Sequence, residues 1–203
     1  MIKKTLATLA LLGFASSAQA VVIDFDNVAG VSIDNTWRYL NVPTEGFTFT
    51  APASIIDVGT GAPWNFGAHS GDFAVLNNGG SGSITVAAAD ASDFTFDGVW
   101  AKRWATPVES GLSGGNLFGV MQGFNNGALV WSVGTVLDGS YQFLEGQAGL
   151  IDQLVLGMGR YYLIDDLALN EMAPSVPVPA GLPLIATGLA ALGFMGRRKA
   201  RKG

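Results

Sequence analysis

The sequence predicts an all-β protein, a two-sheet antiparallel β-sandwich set between two segments that lie outside the fold. Three observations carry that expectation. Short runs of β-branched and aromatic residues recur through residues 21–172, separated by Gly, Asn, Asp and Pro. Helical periodicity is missing from the same stretch. The two ends instead carry the charge and hydropathy patterns of export and membrane insertion.

Residues 1–20 read MIKKTLATLALLGFASSAQA. Lys3 and Lys4 form a positive start, residues 5–14 an apolar run too short to span a bilayer, and Ala18-Gln19-Ala20 the small-x-small pattern that a signal peptidase cleft admits. All three regions stand in order, which predicts a secretory signal peptide cut after Ala20. The Sec translocon and signal peptidase are therefore expected partners. No cysteine follows the cut, so the signal is not of the lipoprotein kind.

The domain expected at residues 21–172 holds all sixteen Asp and Glu of the chain, opposed only by Arg38, Lys102, Arg103 and Arg160, a formal net charge of −12. Such a domain repels phosphate backbones, which argues against nucleic acid as a partner. The chain has no cysteine, so neither disulfides nor a thiolate nucleophile enter, and a hydrophobic core must supply the stability. Ten strands are expected in order: VVIDF, GFTFT, SIIDV, DFAVL, SITVAA, DFTFDGVWAKRW, LFGVMQGF, ALVWSVGTVL, DQLVLG and RYYLIDDLALN. That number at that spacing suits two packed sheets. Asn125-Asn126-Gly127 reads as a hairpin turn, because Asn and Gly accept positive φ at little cost. In the sixth run Phe94, Phe96, Trp100 and Trp104 share one parity, with Asp97, Ala101 and Arg103 on the other.

Catalytic patterns are weak. Gly111-Leu112-Ser113-Gly114-Gly115 matches the nucleophile elbow in form, but a strand-like run follows it, and His69, the only histidine, precedes the serine. A glycine-rich loop is the better reading, and His69 alone cannot build a multi-histidine metal site. Glu109, Glu145 and Glu171 are scattered and share no obvious strand face, so a carboxylate pair for glycoside hydrolysis is not apparent.

Two acidic groups draw more attention, Asp24 and Asp26 in the first run and Asp165 and Asp166 in the last. Asp165 shares parity with Leu163, Leu167 and Leu169, so it faces the core if they do, and a buried carboxylate needs hydrogen bonds or a cation. First and last strands often lie side by side in such sandwiches, which would gather these oxygens. They could then hold a structural Ca²⁺, or accept backbone amides in a strand-end loop without any metal. No D-x-D-x-D-G loop is present.

Candidate binding residues are aromatic. The glycine-rich stretch at residues 59–71 carries Trp64, Phe66 and His69, and Trp37 and Tyr39 are expected in another loop. Exposed rings can pack on the C–H face of a pyranose, and loops on a rigid sandwich commonly carry binding residues. The same rings could instead plug the end of the core. The two readings differ in what Trp64 does: a platform loses ligand on truncation, whereas a plug loses stability.

The C-terminal segment reads VPVPAGLPLIATGLAALGFMGRRKARKG. Residues 173–179 form a proline-rich linker. Residues 180–196 are uncharged, and as a helix they would span ~25 Å, marginal against a hydrocarbon core of ~30 Å. Arg197, Arg198, Lys199, Arg201 and Lys202, in the tail at residues 197–203, would stop transfer and hold that end in the cytoplasm. A proline motif, a short apolar span and a basic end in this order resemble the PEP-CTERM sorting signal in its VPLPA-CTERM variant. The sorting motif is Val176, Pro177, Val178, Pro179 and Ala180; Val176, Pro177, Pro179 and Ala180 match, as do Gly181, Leu182 and Pro183, while Val178 stands where that variant has Leu and no Glu lies between the prolines. The resemblance implies a Gram-negative bacterial protein, held briefly in the inner membrane, cleaved by an exosortase, and delivered to the cell surface or extracellular matrix. A plain single-pass anchor is the other reading of the same residues.

The order of strands, ending in YYLIDDLALN, also resembles the jelly-roll ectodomains of such proteins, which are similar to carbohydrate-binding modules. That implies a non-catalytic surface domain, with extracellular polysaccharide as the alternative partner and a glycan-active enzyme as the remaining class. Fold alone decides none of these.

Overall fold

The computed structural model describes residues 20–28, 37–50, 52–59, 64, 67–78, 82–104 and 115–170. The chain divides into two units, Met1–Glu171 and Met172–Gly203, and all described residues belong to the first. Among them all regular structure is β-strand: β1 (Val21–Ile23), β2 (Trp37–Tyr39), β3 (Phe47–Phe49), β4 (Ala53–Asp57), β5 (Phe73–Asn77), β6 (Ile84–Ala88), β7 (Phe94–Arg103), β8 (Leu117–Asn125), β9 (Ala128–Leu137), β10 (Gln142–Ile151), β11 (Gln153–Gly157) and β12 (Tyr162–Leu169). No helix among them is long and apolar enough to cross a membrane. The expected signal peptide up to Gln19 and the span at residues 180–196 lie outside the described residues.

The strands form two antiparallel sheets. The first has the order β10-β7-β12-β5-β4-β2, with β1 also paired to β12, and the second the order β3-β6-β11-β8-β9. All ten expected runs are strands. The two that the sequence concealed, β2 and β10, are the two edges of the first sheet. Half of β10 is exposed, with three such positions in succession at Ala148 to Leu150, and it holds Gly146 and Gly149, so its alternation breaks off.

Alternating side chains of both sheets meet in one core. Phe94, Phe96, Val99 and Ala101 of β7 and Tyr162, Ile164, Leu167 and Leu169 of β12 face Ile84 and Val86 of β6 and Leu154 and Leu156 of β11. Each large apolar side chain so buried contributes roughly 1.5–3 kcal/mol. Edge-on ring pairs add to this, Phe47 with Phe94 at 5.2 Å between centroids and Phe25 with Phe49 at 5.7 Å. Tyr162 is fully buried, and its hydroxyl donates to the Leu156 carbonyl, so the two sheets share a hydrogen bond inside the core.

Two neighbouring bulges break the expected alternation. On β7 Gly98 takes φ 146°, and on β12 Asp166 takes φ 43°. The register shows how they compensate: Trp100 pairs Asp165, Gly98 pairs Ala168 and Phe96 pairs Leu169, so β12 gains a residue and β7 then regains it. As a result Phe94 and Phe96 face the core while Trp100 faces outward. This corrects the expectation that they share a face. It also corrects the reading of Asp165: Leu167 and Leu169 are in the core, but Leu163 belongs to a second cluster on the outer face of the first sheet. Asp165, two residues from Leu163, lies on that outer side.

That second cluster is Ile56, Val58, Ala74, Leu76 and Leu163, with Trp64, Ala68, Trp104 and Tyr141 packed against it. The first sheet is therefore covered on both faces. One edge of β12 is also shared end to end: β5 pairs with Leu163 and Ile164, and β1 with Leu167, Ala168 and Leu169. Asp165 and Asp166 sit at the gap between β5 and β1.

Candidate functional site

The chain that fills this gap is the segment at residues 67–72, just before β5. Its backbone is held by carboxylates from the first and last strands. Asp165 Oδ2 accepts the amides of His69 at 2.8 Å and Ser70 at 3.0 Å, and Asp165 Oδ1 accepts the amide of Asp166 at 2.8 Å. Asp26 Oδ1, just past β1, accepts the amides of Asp72 at 2.9 Å and Phe73 at 3.1 Å. Gly71 has φ 56°, and a Cβ there would lie 1.5 Å from Asp26 Oδ2, so only glycine lets the loop close on that carboxylate. Asp24 Oδ1 accepts the amide of Asp26 at 3.1 Å and so shapes the turn that presents it.

Asp166 holds the side chains of the same loop. Its Oδ2 lies 2.6 Å from His69 Nδ1, and its Oδ1 accepts the Ser70 hydroxyl at 2.7 Å. An ionised carboxylate only accepts, so His69 Nδ1 carries the proton and, in the neutral ring, Nε2 is left as an acceptor. The Ser70 hydroxyl is directed to the aspartate rather than to the histidine. A serine, a histidine and an aspartate thus meet, but not in the order that activates a nucleophile.

Asp165 is fully buried. Burial pushes its carboxyl up to about 7; the amides of Ser70, Asp166 and His69 pull the other way, while the charge of Asp166 raises it further. Of the four positions proposed for a Ca²⁺, Asp24, Asp26 and Asp165 accept backbone amides, while Asp166 holds the His69 and Ser70 side chains. Asp26 and Asp165 each serve two or more N–H donors, and no three His, Asp or Glu side chains among the described residues could hold a metal ion. The donor set does not fit a metal centre, and the hydrogen-bonded alternative describes it.

His69, fixed from behind, lies on Trp100 with ring centroids 3.8 Å apart and planes 13° from parallel. Trp100 in turn meets Phe143 at 5.5 Å, and Tyr141 meets His69 edge-on at 5.7 Å. Lys102 Nζ lies 5.1 Å from the Tyr141 ring centroid. The registers Phe143–Trp100 and Trp100–Asp165 place the row straight across β10, β7 and β12. Phe143 is 40% exposed and His69 retains 29% of its side-chain surface. The Phe143 ring lies over Gly98, where a Cβ would come 2.1 Å from its Cζ. The bulge that turns Trp100 outward therefore also seats Phe143.

Of the aromatics singled out in the sequence, His69 belongs to this row, and the others among the described residues fall elsewhere. Trp64 is partly buried against Ile56, Val58 and their neighbours, which is the packing role. Trp37 begins β2 instead of lying in a loop, and Tyr39 on that strand is 56% exposed. Phe66 lies outside the described residues, as do Ala18, the sorting residues Val176, Pro177, Val178, Pro179 and Ala180, and the basic residues Arg197, Arg198, Lys199, Arg201 and Lys202. Ala20 is exposed, and β1 starts at the next residue. Sequence reasoning missed the row of Trp100 and Phe143. The signal was present in the glycine of DFTFDGVW, where a bulge changes the parity, and in a phenylalanine on an edge strand without alternation.

A pH dependence follows from Asp165. Its carboxyl is raised in the folded state relative to the unfolded chain, so the native protein holds a proton that the unfolded chain releases at lower pH. Stability from this group is full below about 4, declines as pH rises towards about 7, and then levels off, a loss of at most about 4 kcal/mol. Melting temperatures between pH 4.5 and 8.5 should show the decline. Asp165→Asn should melt lower overall, having lost acceptor capacity, but with a flatter profile. An unchanged slope in that variant would assign the dependence to other groups.

No protein-family model matches the chain, and no curated protein matches it. Among solved structures, TmCBM61 in complex with β-1,4-galactotriose is similar over 62% of this chain and 88% of its own, at 16% identity and a TM-score of 0.32.

Proposed function

We infer that the sandwich is a polysaccharide-binding domain carried by an exported protein that is sorted to the cell surface. The observation that carries the binding half is the row of His69, Trp100 and Phe143 on the outer face of the first sheet. Flat rings on a rigid sheet suit the C–H faces of sugar rings, and the loop behind them is tied by four backbone amides, those of His69, Ser70, Asp72 and Phe73, to Asp165 and Asp26. His69 Nε2 can accept a sugar hydroxyl, because Nδ1 is engaged with Asp166. Glu145, exposed two residues beyond Phe143, supplies further acceptors beside the row. An acidic domain favours a neutral glycan over an acidic one. A non-catalytic role is the reading that goes with a Ser70 hydroxyl directed to Asp166 rather than to the histidine.

The export half rests on sequence pattern: the signal peptide ahead of Val21, and the proline motif, apolar span and basic end that resemble an exosortase substrate. It agrees with a first strand that begins at Val21. Intact-mass measurement of the protein released from its host's surface should give a chain that begins at Val21 and lacks Arg197 to Lys202. Recovery of the intact basic end there would leave a plain membrane anchor.

Binding is tested on a panel of neutral β-1,4-linked glucan, xylan and galactan. The wild type should be retained on at least one. Phe143→Ala should weaken that retention about tenfold, equivalent to ~1.4 kcal/mol, with little change in melting temperature, because its ring is on the surface. Trp64→Ala should do the reverse, costing about 2–3 kcal/mol of stability through the outer cluster while the folded fraction keeps its affinity. A wild type retained on none of the glycans, or a Phe143→Ala variant that binds as well as the wild type, would refute the site.

A further inference from the structure

The row of rings has two unlike ends. Phe143 stands on β10, the last strand of the first sheet on that side, and its ring is partly exposed. Glu145 shares its outward parity and is exposed as well, whereas Gln142, of the other parity, turns to the Val136 carbonyl of the second sheet. Among the described residues, the outer face therefore ends in the open at Phe143.

At the His69 end the same face is filled. Ile56, Val58, Ala74, Leu76 and Leu163 lie on this side of the sheet and are buried, with Trp64 and Ala68 packed against them. Ala68 immediately precedes His69, and Gly67 donates its amide to the Val58 carbonyl at 2.9 Å, so the loop that carries His69 rests on the end of β4. A line of sugar rings continuing past His69 towards β5 would meet this packing instead of open sheet. Tyr141, edge-on to His69 and packed against the same cluster, closes the adjoining flank. The obstacle is fixed in place, because Asp165 holds the His69 and Ser70 amides and Asp166 holds the His69 ring.

On the footing of the glycan-binding function inferred above, we propose that the row is a blind-ended site for the terminus of a polysaccharide chain, with the last sugar ring at His69 and the chain leaving over Phe143. The ligand is thereby narrowed to chain ends. The chemistry of the blind end agrees with this. His69 Nε2, as an acceptor, needs an O–H donor. A terminal unit carries one hydroxyl more than an interior unit, the one that the next glycosidic bond would consume. A terminal unit also has no further ring to place where Ala68 and Trp64 already lie. The register sets Phe143, Trp100 and Asp165 side by side on three adjacent strands. The row thus covers ~10 Å, a short terminal stretch of a chain, and the remainder would lie beyond the sheet edge.

Stoichiometry tests this. The full-length protein is titrated by calorimetry with water-soluble β-1,4-linked glucan, xylan and galactan, each as a length-graded series that reaches chains long enough to seat several domains. With the series that binds, one copy per chain is expected at every length. Capacity per gram should then fall as the chains lengthen and recover after brief endo-cleavage. His69→Ala, which keeps the amide held by Asp165, should weaken binding of short and long chains alike by about tenfold. Copies per chain that rise with length would overturn the blind end while leaving the glycan-binding function standing, and so would a His69→Ala variant that binds as tightly as the wild type. Binding to none of the three series would refute both.

Discussion

The outer face of the first sheet depends on how three carboxylates hold one loop. Asp26 leaves the end of the first strand, and Asp165 and Asp166 lie in the middle of the last, where β5 stops and β1 begins along the same edge. That edge would otherwise expose backbone groups to the side. The segment before β5 closes it, and its amides are answered by Asp26 and Asp165. The fully buried Asp165 is tolerated because three backbone donors converge on it. The cost of desolvation remains visible in a carboxyl pushed up towards neutrality.

The same arrangement produces the aromatic row proposed to bind glycan. Two adjacent bulges, at Gly98 and Asp166, are needed before Trp100 can turn out of the core and Asp166 can reach the loop side chains. Asp166 then fixes His69, and His69 lies flat on Trp100. A bulge next to a functional surface is a familiar use of that distortion. Here it converts a strand that starts as core into one that ends as platform. The strands of the second sheet carry no charged side chain, and the register between β8 and β9 shifts at Gly123 and Phe124.

How much of this was legible in the sequence divides along physical lines. Strands with one buried face announced themselves, because burial enforces alternation; GFTFT and SITVAA are of this kind. β2 and β10 did not: β2 is three residues long, and in β10 Gly146, Gly149 and three successive exposed positions at Ala148 to Leu150 break the pattern. The clustering of Asp24, Asp26, Asp165 and Asp166 followed from the adjacency of first and last strands, which the pairing of β1 with β12 displays. Their task did not follow, since amide donors from a loop between other strands carry no sequence signal. The burial of Asp165 was legible and its face was not, because parity counting assumes an unbroken strand. The same assumption hid Trp100 among core phenylalanines and left Trp64, a packing residue, as the more visible candidate.

The central claim is that the loop at residues 67–72 is a fixed wall of the site. Hydrogen exchange by NMR on the folded protein measures this most directly. The amides of His69, Ser70, Asp72 and Phe73 should exchange slowly, with protection approaching that of Val75 in the adjoining strand, and Asp26→Ala should release Asp72 and Phe73 first. Exchange of all four at the rate of an unstructured loop, with Val75 still protected, would contradict the account.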